Sequence, residues 1–253
     1  MVSLAEKMAA NMDVSAFSKA TELKKRLWFT VLALIVFRLG TFIPLPGIDP
    51  HILSDIFARN ANGILGMFNM FAGGALERMT IFALNIMPYI SASIIQLGQS
   101  VVPSLAALKK DGEAGHRKIT HYTKMLTVLI TIIQGYGIAV GLEGMTGSAG
   151  VSAVVNPGFV FKFTTIVSLV GGTMFIVWLG DQITSRGVGN GSSLIITVGI
   201  IANIPGALAQ TFELGRVGSM PLSVMAMLLV MVLGLIYVIV LVERAQRKIT
   251  IQY

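Results

Sequence analysis

Chemistry in this chain must come from three histidines, twelve acidic residues and its hydroxyl and amide side chains, because it contains no cysteine. Thiolate metal sites, cysteine nucleophiles and disulfides are thereby excluded. The histidines, His51, His116 and His121, are placed in loops and form no His-Glu-x-x-His pair, so a metalloprotease centre is not indicated. No Gly-x-x-x-x-Gly-Lys-Ser/Thr loop occurs, which argues against nucleotide hydrolysis by the chain itself. Gly187, Gly189 and Gly191 in RGVGNGSS have the look of a phosphate-binding fingerprint, but an apolar helix precedes them where a strand is required. They read as a cytoplasmic turn. Nothing in the sequence calls for a cofactor.

What remains is polar chemistry inside apolar helices. The stretch Thr80 to Val102 carries Asn85, Ser91, Ser93, Gln96 and Gln99 around Pro88, more polar groups than lipid contact needs, so part of it faces water or another helix. Ile86 and Ile90 are four apart and share a helical face, as do Ser192 and Ile196 further on. Gly137 and Gly141 form a Gly-x-x-x-Gly surface for close helix packing. Arg38 is the one cation well inside a predicted span, Lys162 standing at the outer end of the fourth, and it is expected to snorkel or to pair with a loop carboxylate such as Asp49 or Asp55. No acidic residue lies well inside a span, which weakens both an intramembrane aspartyl protease and an ion-coupled relay.

The elements that carry these residues follow from composition. Of 253 residues, 54% are hydrophobic and only 12% are charged, and the mean hydropathy is +0.78. A soluble domain carries roughly 25% charged residues. Crossing about 30 Å of hydrocarbon takes about 20 apolar residues in a helix. Six stretches qualify, near Leu27 to Ile43, Thr80 to Val102, Met125 to Leu142, Phe159 to Leu179, Ser192 to Ala209 and Leu222 to Val242. Fourteen of the nineteen Lys and Arg fall on one side of this arrangement: Lys7, Lys19, Lys24, Lys25, Arg26, Lys109, Lys110, Arg117, Lys118, Lys124, Arg186, Arg244, Arg247 and Lys248. Arg59, Arg78, Lys162 and Arg216 fall on the other. The asymmetry predicts both ends of the sequence on the cytoplasmic face. The +7 net charge is then a topology signal and needs no nucleic acid to explain it.

Three segments break the simple hairpin pattern. Residues 1–26 have the composition of an interfacial amphipathic helix or of a disordered tail, and their length argues that the first span is an uncleaved anchor. Gly63 to Gly74, GILGMFNMFAGG, is apolar but reaches only about 18 Å as a helix, so it reads as a half-membrane element. The fifth span is interrupted by Gly199, Pro205 and Gly206, and interrupted helices are common along transport paths.

With these features in place, the sequence resembles the SecY family of protein-conducting channels. The resemblance is carried by Met67 to Gln96 (MFNMFAGGALERMTIFALNIMPYISASIIQ) and Trp178 to Gly191 (WLGDQITSRGVGNG). FRLGTFIPLPGID from Phe37, KKDGEAGHRKIT from Lys109, NPGF from Asn156 and VERAQRKI from Val242 support it. It implies an all-α, polytopic transmembrane helix bundle: the N-terminal half of a SecY-type channel plus a sixth span. The implied divisions are a cytoplasmic segment 1–26, a five-span half-channel 27–209 with a plug at 63–74, an outer loop and sixth span 210–242, and the start of a cytoplasmic loop at 243–253. A ten-span family member would continue further, so the chain reads as slightly more than half of a pore.

By the same resemblance, Ile86, Ile90, Ser192 and Ile196 match pore-ring positions, with Ser192 standing where isoleucine is common. Ile64, Leu65, Met67, Phe68, Asn69, Met70, Phe71 and Gly73 match the plug, and Ser91 a polar contact at the lateral gate. The implied activity is passage of unfolded secretory polypeptides across, and of membrane segments sideways into, a bacterial inner membrane. The implied partners are SecE-like and SecG-like membrane subunits, the SecA motor ATPase, the ribosome, precursors with signal sequences, and lipid. The channel itself is not an enzyme. The competing reading is a small-solute secondary transporter, which needs a coupling group in the bilayer that the sequence does not offer.

Overall fold

The computed structural model describes residues 21–59, 69, 72–97, 112–145, 152–216 and 221–245. Wherever a long apolar run is free of proline, the chain is helical. In chain order the helices are α1 (Thr21–Gly40), α2 (Pro50–Arg59), α3 (Met87–Leu97), α4 (Gly112–Gly144), α5 (Phe159–Arg186), α6 (Gly191–Ile201), α7 (Ile204–Arg216) and α8 (Leu222–Arg244). No β-strand forms among the described residues. Two isolated bridges, Pro44 to Thr80 and Ile48 to Val154, tie the loops together. By length and composition four helical stretches among the described residues can cross a membrane: Gly112–Gly144, Phe159–Arg186, Gly191–Glu213 and Ser223–Arg244.

The chain divides into two units, Met1–Asn203 and Ile204–Tyr253. In the first, α5 is the hub and packs against α4, α1 and α6, while α4 also packs against α3. The buried face of α4 is built from small residues. Thr123, Thr127 and Thr131 recur every four residues, almost fully buried, and each hydroxyl donates to the carbonyl four residues back, at 3.0, 2.8 and 2.7 Å. Back-bonding of this kind lets a hydroxyl enter an apolar interior without an unmet donor. Gly135 and Ala139 continue the same row, and a Cβ at Gly135 would already touch Leu169 of α5 at 3.4 Å.

Ion pairs mark both ends of the α4–α5 hairpin. Lys124 Nζ meets Asp181 Oδ2 at 2.6 Å, and Lys162 Nζ meets Glu143 Oε2 at 3.0 Å. Between its two paired residues neither helix carries a charge. Each interval, Lys124 to Glu143 and Lys162 to Asp181, covers about 28 Å of helix, close to the thickness of the hydrocarbon core. Being partly exposed, the pairs add little energy, but they fix which turns of α4 and α5 sit side by side.

The second unit is an α7–α8 pair. Pro221 precedes α8, whose described side chains are almost all exposed although nearly every one is apolar. A helix apolar on all sides is one whose solvent is lipid. Between α6 and α7, Ala202 and Asn203 form a turn ahead of Pro205, whose missing N–H and ring disfavour helix in the preceding turn. The predicted interruption of the fifth span therefore falls at Ala202–Asn203, and Gly199 stays inside α6.

The six predicted spans meet the structure unevenly. The first, third, fourth and sixth coincide with α1, α4, α5 and α8, with α4 and α5 extending further at their charged ends. The second does not begin at Thr80. Residues 72–86 form successive turns, and the helix starts only at Met87. The physical reason is local: Asn85 takes φ +49°, a left-handed value asparagine tolerates, and Pro88 sits in the first helical turn, where its absent N–H is harmless. The histidines lie on helices and not in loops, His51 on α2 and His116 and His121 on α4.

Candidate functional site

The polar and glycine signals converge on the non-helical segment 72–86, which lies between α1, α5 and α6. Main-chain bonds from the end of α1 hold it: Leu45 N donates to Met79 O at 2.9 Å, and Ile81 N donates to Ile43 O at 3.1 Å. Glycines on two helices make room for it. A Cβ at Gly40 of α1 would overlap the Phe82 ring, and one at Gly172 of α5 would overlap the carbonyl of Ile81. Phe82 fills the slot, stacked on Phe37 at 6.0 Å and on Phe175 at 5.9 Å, with Trp178 a further 5.6 Å beyond Phe175. This aromatic row and its two glycine gaps were not read from the sequence. They involve three separate segments, and only the repeated Gly and Phe of the motifs hinted at them.

Ile86 ends the segment and is 1% exposed, inside an apolar cluster with Ala33, Phe37, Phe82, Ile176, Leu179, Ile183 and Ile195. Ile196 and Val198 of α6 pack against the same cluster. Ile90, one turn into α3, is 40% exposed, so the two isoleucines that share a face by spacing occupy different surroundings. Ser192 is half-buried in the first turn of α6, its hydroxyl facing Gly180 of α5. Ser91 is exposed on α3. The structure thus brings Ile86 together with Ile196 across one cluster, while Ile90 and Ser91 remain on an open face of α3.

The turn carrying Gly187, Gly189 and Gly191 holds this arrangement from the far end of α5. Asn190 caps α6, its Oδ1 accepting from Ser193 N at 3.1 Å. Thr184 Oγ1 accepts from Gly191 N at 2.9 Å, and Thr30 Oγ1 of α1 accepts from Val188 N at 3.1 Å. Gly191 lies so close to Gly180 that a Cβ would strike its backbone. The N–H groups of Gly187, Val188, Gly191 and Ser193 are thus engaged within the protein.

Of the predicted plug residues, Asn69 and Gly73 are described; Ile64, Leu65, Met67, Phe68, Met70 and Phe71 lie outside the described residues. Asn69 closes a clasp on Glu77. Its Oδ1 accepts from Glu77 N at 2.9 Å, its Nδ2 donates to Glu77 Oε2 at 3.1 Å, and its carbonyl accepts from Gly74 N at 3.0 Å. Where the sequence led Arg38 to be expected to snorkel or to pair with Asp49 or Asp55, its guanidinium bonds a backbone carbonyl. It donates to Gly73 O at 2.9 Å, while Asp49 accepts from His51 N at 2.9 Å at the start of α2. Arg38 and Arg78 both lie against the Phe42 ring, 5.1 and 4.5 Å from its centre.

Gly137 and Gly141 also differ from expectation. Nothing lies within 4 Å of a Cβ built on either. They line an apolar cavity of about 420 Å³ with Phe57, Ala72, Leu76 and Met79. Gln134 also lines the cavity, and its buried Oε1 has no partner.

Comparison with known proteins fits these features. The family model SecY matches residues 80–253. The protein translocase subunit SecY of Escherichia coli (strain K12) is 53% identical over 233 residues, 92% of this chain and 52% of that protein. The SecY of Rickettsia conorii is 50% identical over 240 residues, 94% of this chain and 55% of that protein. The chain therefore spans about half the length of the relatives it matches. Among solved structures, "The structure of a protein conducting channel" and Sec61 in the canine ribosome-channel complex from the endoplasmic reticulum are each similar at a TM-score of 0.47. Each is 19% identical and covers 76% of this chain and 38% of its own. With the family model matched over more than half of its length, the chain belongs to the SecY family.

Proposed function

We propose that the chain forms the N-terminal part of the central subunit of a protein translocation channel. Unfolded secretory polypeptides cross through it and apolar segments leave it sideways into the bilayer. The observation that carries the reading is the single apolar cluster holding Ile86 of one family motif with Ile195, against which Ile196 packs, just beyond the other motif. Flexible aliphatic side chains suit a constriction that must close on itself and still fit around a passing chain, because they exclude water without fixing a shape. In this reading Ile86, Ile90, Ser192 and Ile196 contribute to the ring. The element 63–74 closes the outer side, and Ser91 lies at the lateral exit.

The channel does no covalent chemistry, and energy comes from outside it, from a SecA-type motor ATPase or a translating ribosome. SecE-like and SecG-like subunits and the rest of the SecY chain complete the pore. The chain sits in a bacterial inner membrane with its N-terminus in the cytoplasm, as the distribution of its Lys and Arg requires. The domain divisions expected from sequence, a half-channel to residue 209 followed by an outer loop and sixth span, belong to this reading. The test is to replace Ile86 and Ile90 by Gly in the full-length channel and measure ion conductance in a planar bilayer. Increased leak with translocation retained is expected; unchanged conductance removes these residues from the ring.

A further inference from the structure

The non-helical stretch 72–86 lies in a membrane protein, where a carbonyl without a donor is far more costly than in water. Its middle is held by main-chain bonds to residues 43 and 45. Its beginning is held by local main-chain bonds, from Gly74 N to Asn69 O and from Ala75 N to Ala72 O. There Gly73 takes φ +66°, a value that favours glycine, and its carbonyl turns to the Arg38 guanidinium at 2.9 Å. A Cβ on Gly73 would come within 3.0 Å of the Gly199 Cα and 3.5 Å of Arg38 Nη1. The clasp 69–77 is therefore wedged between a side chain of α1 and the backbone of α6. Gly199 is one turn from Ile196, and the clasp runs on through Arg78, stacked on Phe42, to Ile86.

We propose that Arg38 is a positioning residue for the constriction: its bond to the Gly73 carbonyl pins the clasp against α6 and so sets the distance between the Ile86 segment and Ile196. The inference rests on the channel reading given above and adds to it a residue outside the ring. A guanidinium suits the task because a charge-assisted bond to a carbonyl is stronger than a neutral one and satisfies donor and acceptor together in a low-dielectric place. Arg78 sharpens the argument. Two guanidiniums against one ring repel each other, so removing Arg38 relieves repulsion as well as removing a bond, and only the loss of the bond loosens the clasp.

The experiment uses the full-length protein in membranes, with cysteines outside this chain replaced. Ala72→Cys reports on the clasp, since Ala72 is 4% exposed, and Ala153→Cys, 0% exposed, reports on the loop that precedes α5. Labelling by a water-soluble maleimide is measured in the parent, in Arg38→Met and in Arg38→Lys. Arg38→Met is expected to speed labelling at residue 72 at least tenfold and to leave residue 153 unchanged, and Arg38→Lys, which keeps a charged N–H donor, to restore most of the protection. Equal rates at residue 72 in Arg38→Met and parent overturn the proposal. Equal acceleration at both sites overturns it too, as general loosening. Failure of Lys to rescue overturns it by transferring the role to stacking on Phe42. Ion conductance of Arg38→Met is measured alongside. Faster labelling without increased leak leaves the anchor standing and counts against the channel reading, so the two ideas fail separately.

Discussion

Gly171 and Gly172 are adjacent in the middle of α5, and the structure gives them opposite roles. A Cβ on Gly171 meets nothing within 4 Å, whereas one on Gly172 would overlap the Ile81 carbonyl oxygen, lie 2.8 Å from its carbon and press on Phe82 at 3.2 Å. Replacing either by Ala removes about 1 kcal/mol of the helix penalty that glycine carries. At Gly171 that gain stands alone. At Gly172 it is opposed by overpacking, which costs about 1–3 kcal/mol. The upper end applies, because the obstacle is backbone held by its own hydrogen bond to Ile43 and cannot swing away. Gly171→Ala should therefore be neutral to stabilising, and Gly172→Ala destabilising by about 2 kcal/mol, a separation of about 3 kcal/mol. At about 2–4 °C per kcal/mol for a domain of this size, the two Tm values should differ by about 6–12 °C. Thermal scanning of the detergent-solubilised protein would measure it. Trp178, 5.6 Å from Phe175, is placed to report on the same stretch of α5. Equal Tm values, or a lower Tm for Gly171→Ala, would refute the close approach of segment 72–86 to α5.

Other substitutions probe the same packing. Ile86→Ala should cost about 2–4 kcal/mol and Ile90→Ala less than about 1, because only the first is enclosed; chemical unfolding separates them. Asn190→Ala removes the α6 cap and should cost about 1 kcal/mol, with Asn190→Asp retaining most of the stability in the same assay. Lys124→Met and Asp181→Asn, alone and combined, form a double-mutant cycle whose coupling should stay below about 1 kcal/mol, since both partners are partly exposed. A larger coupling would mean that the pair is shielded by lipid more fully than its exposure implies.

The spans were legible because bilayer thickness sets a length that a sequence either meets or does not. Met125 to Leu142 and Phe159 to Leu179 are uncharged apart from Lys162, and they became α4 and α5. Their charged ends were visible too, but the pairing of Lys124 with Asp181 and of Lys162 with Glu143 needs the two helices side by side, which single-chain periodicity does not specify. The second span misled for a related reason. Its hydropathy is continuous from Thr80, and hydropathy does not register that Asn85 and Pro88 favour a late helix start. The spacing of Ile86 and Ile90 assumed a helix through both, and Ile86 lies just before it.

Glycine shows the boundary most clearly. The Gly-x-x-x-Gly pair at 137 and 141 has the spacing of a packing motif, yet a Cβ on either would meet none of the described residues, while Gly40, Gly172 and Gly191, which were not read as packing sites, are where backbone or rings come closest. A missing Cβ matters only in relation to what arrives from another element, so its use cannot be read from its own helix. The same holds for Arg38. A lone cation in an apolar span invites a search for a carboxylate, because charge pairing is the interaction a sequence makes countable. Its partner is a carbonyl that is free only because residues 72–86 are not helical there. Once that segment leaves the helix, each carbonyl turned from water needs a donor, and the guanidinium of α1 supplies one to the Gly73 carbonyl. The departure from helix and the charge in the membrane, each costly alone, offset one another. Both therefore follow from a single requirement: holding a non-helical strip of chain against α1, α5 and α6.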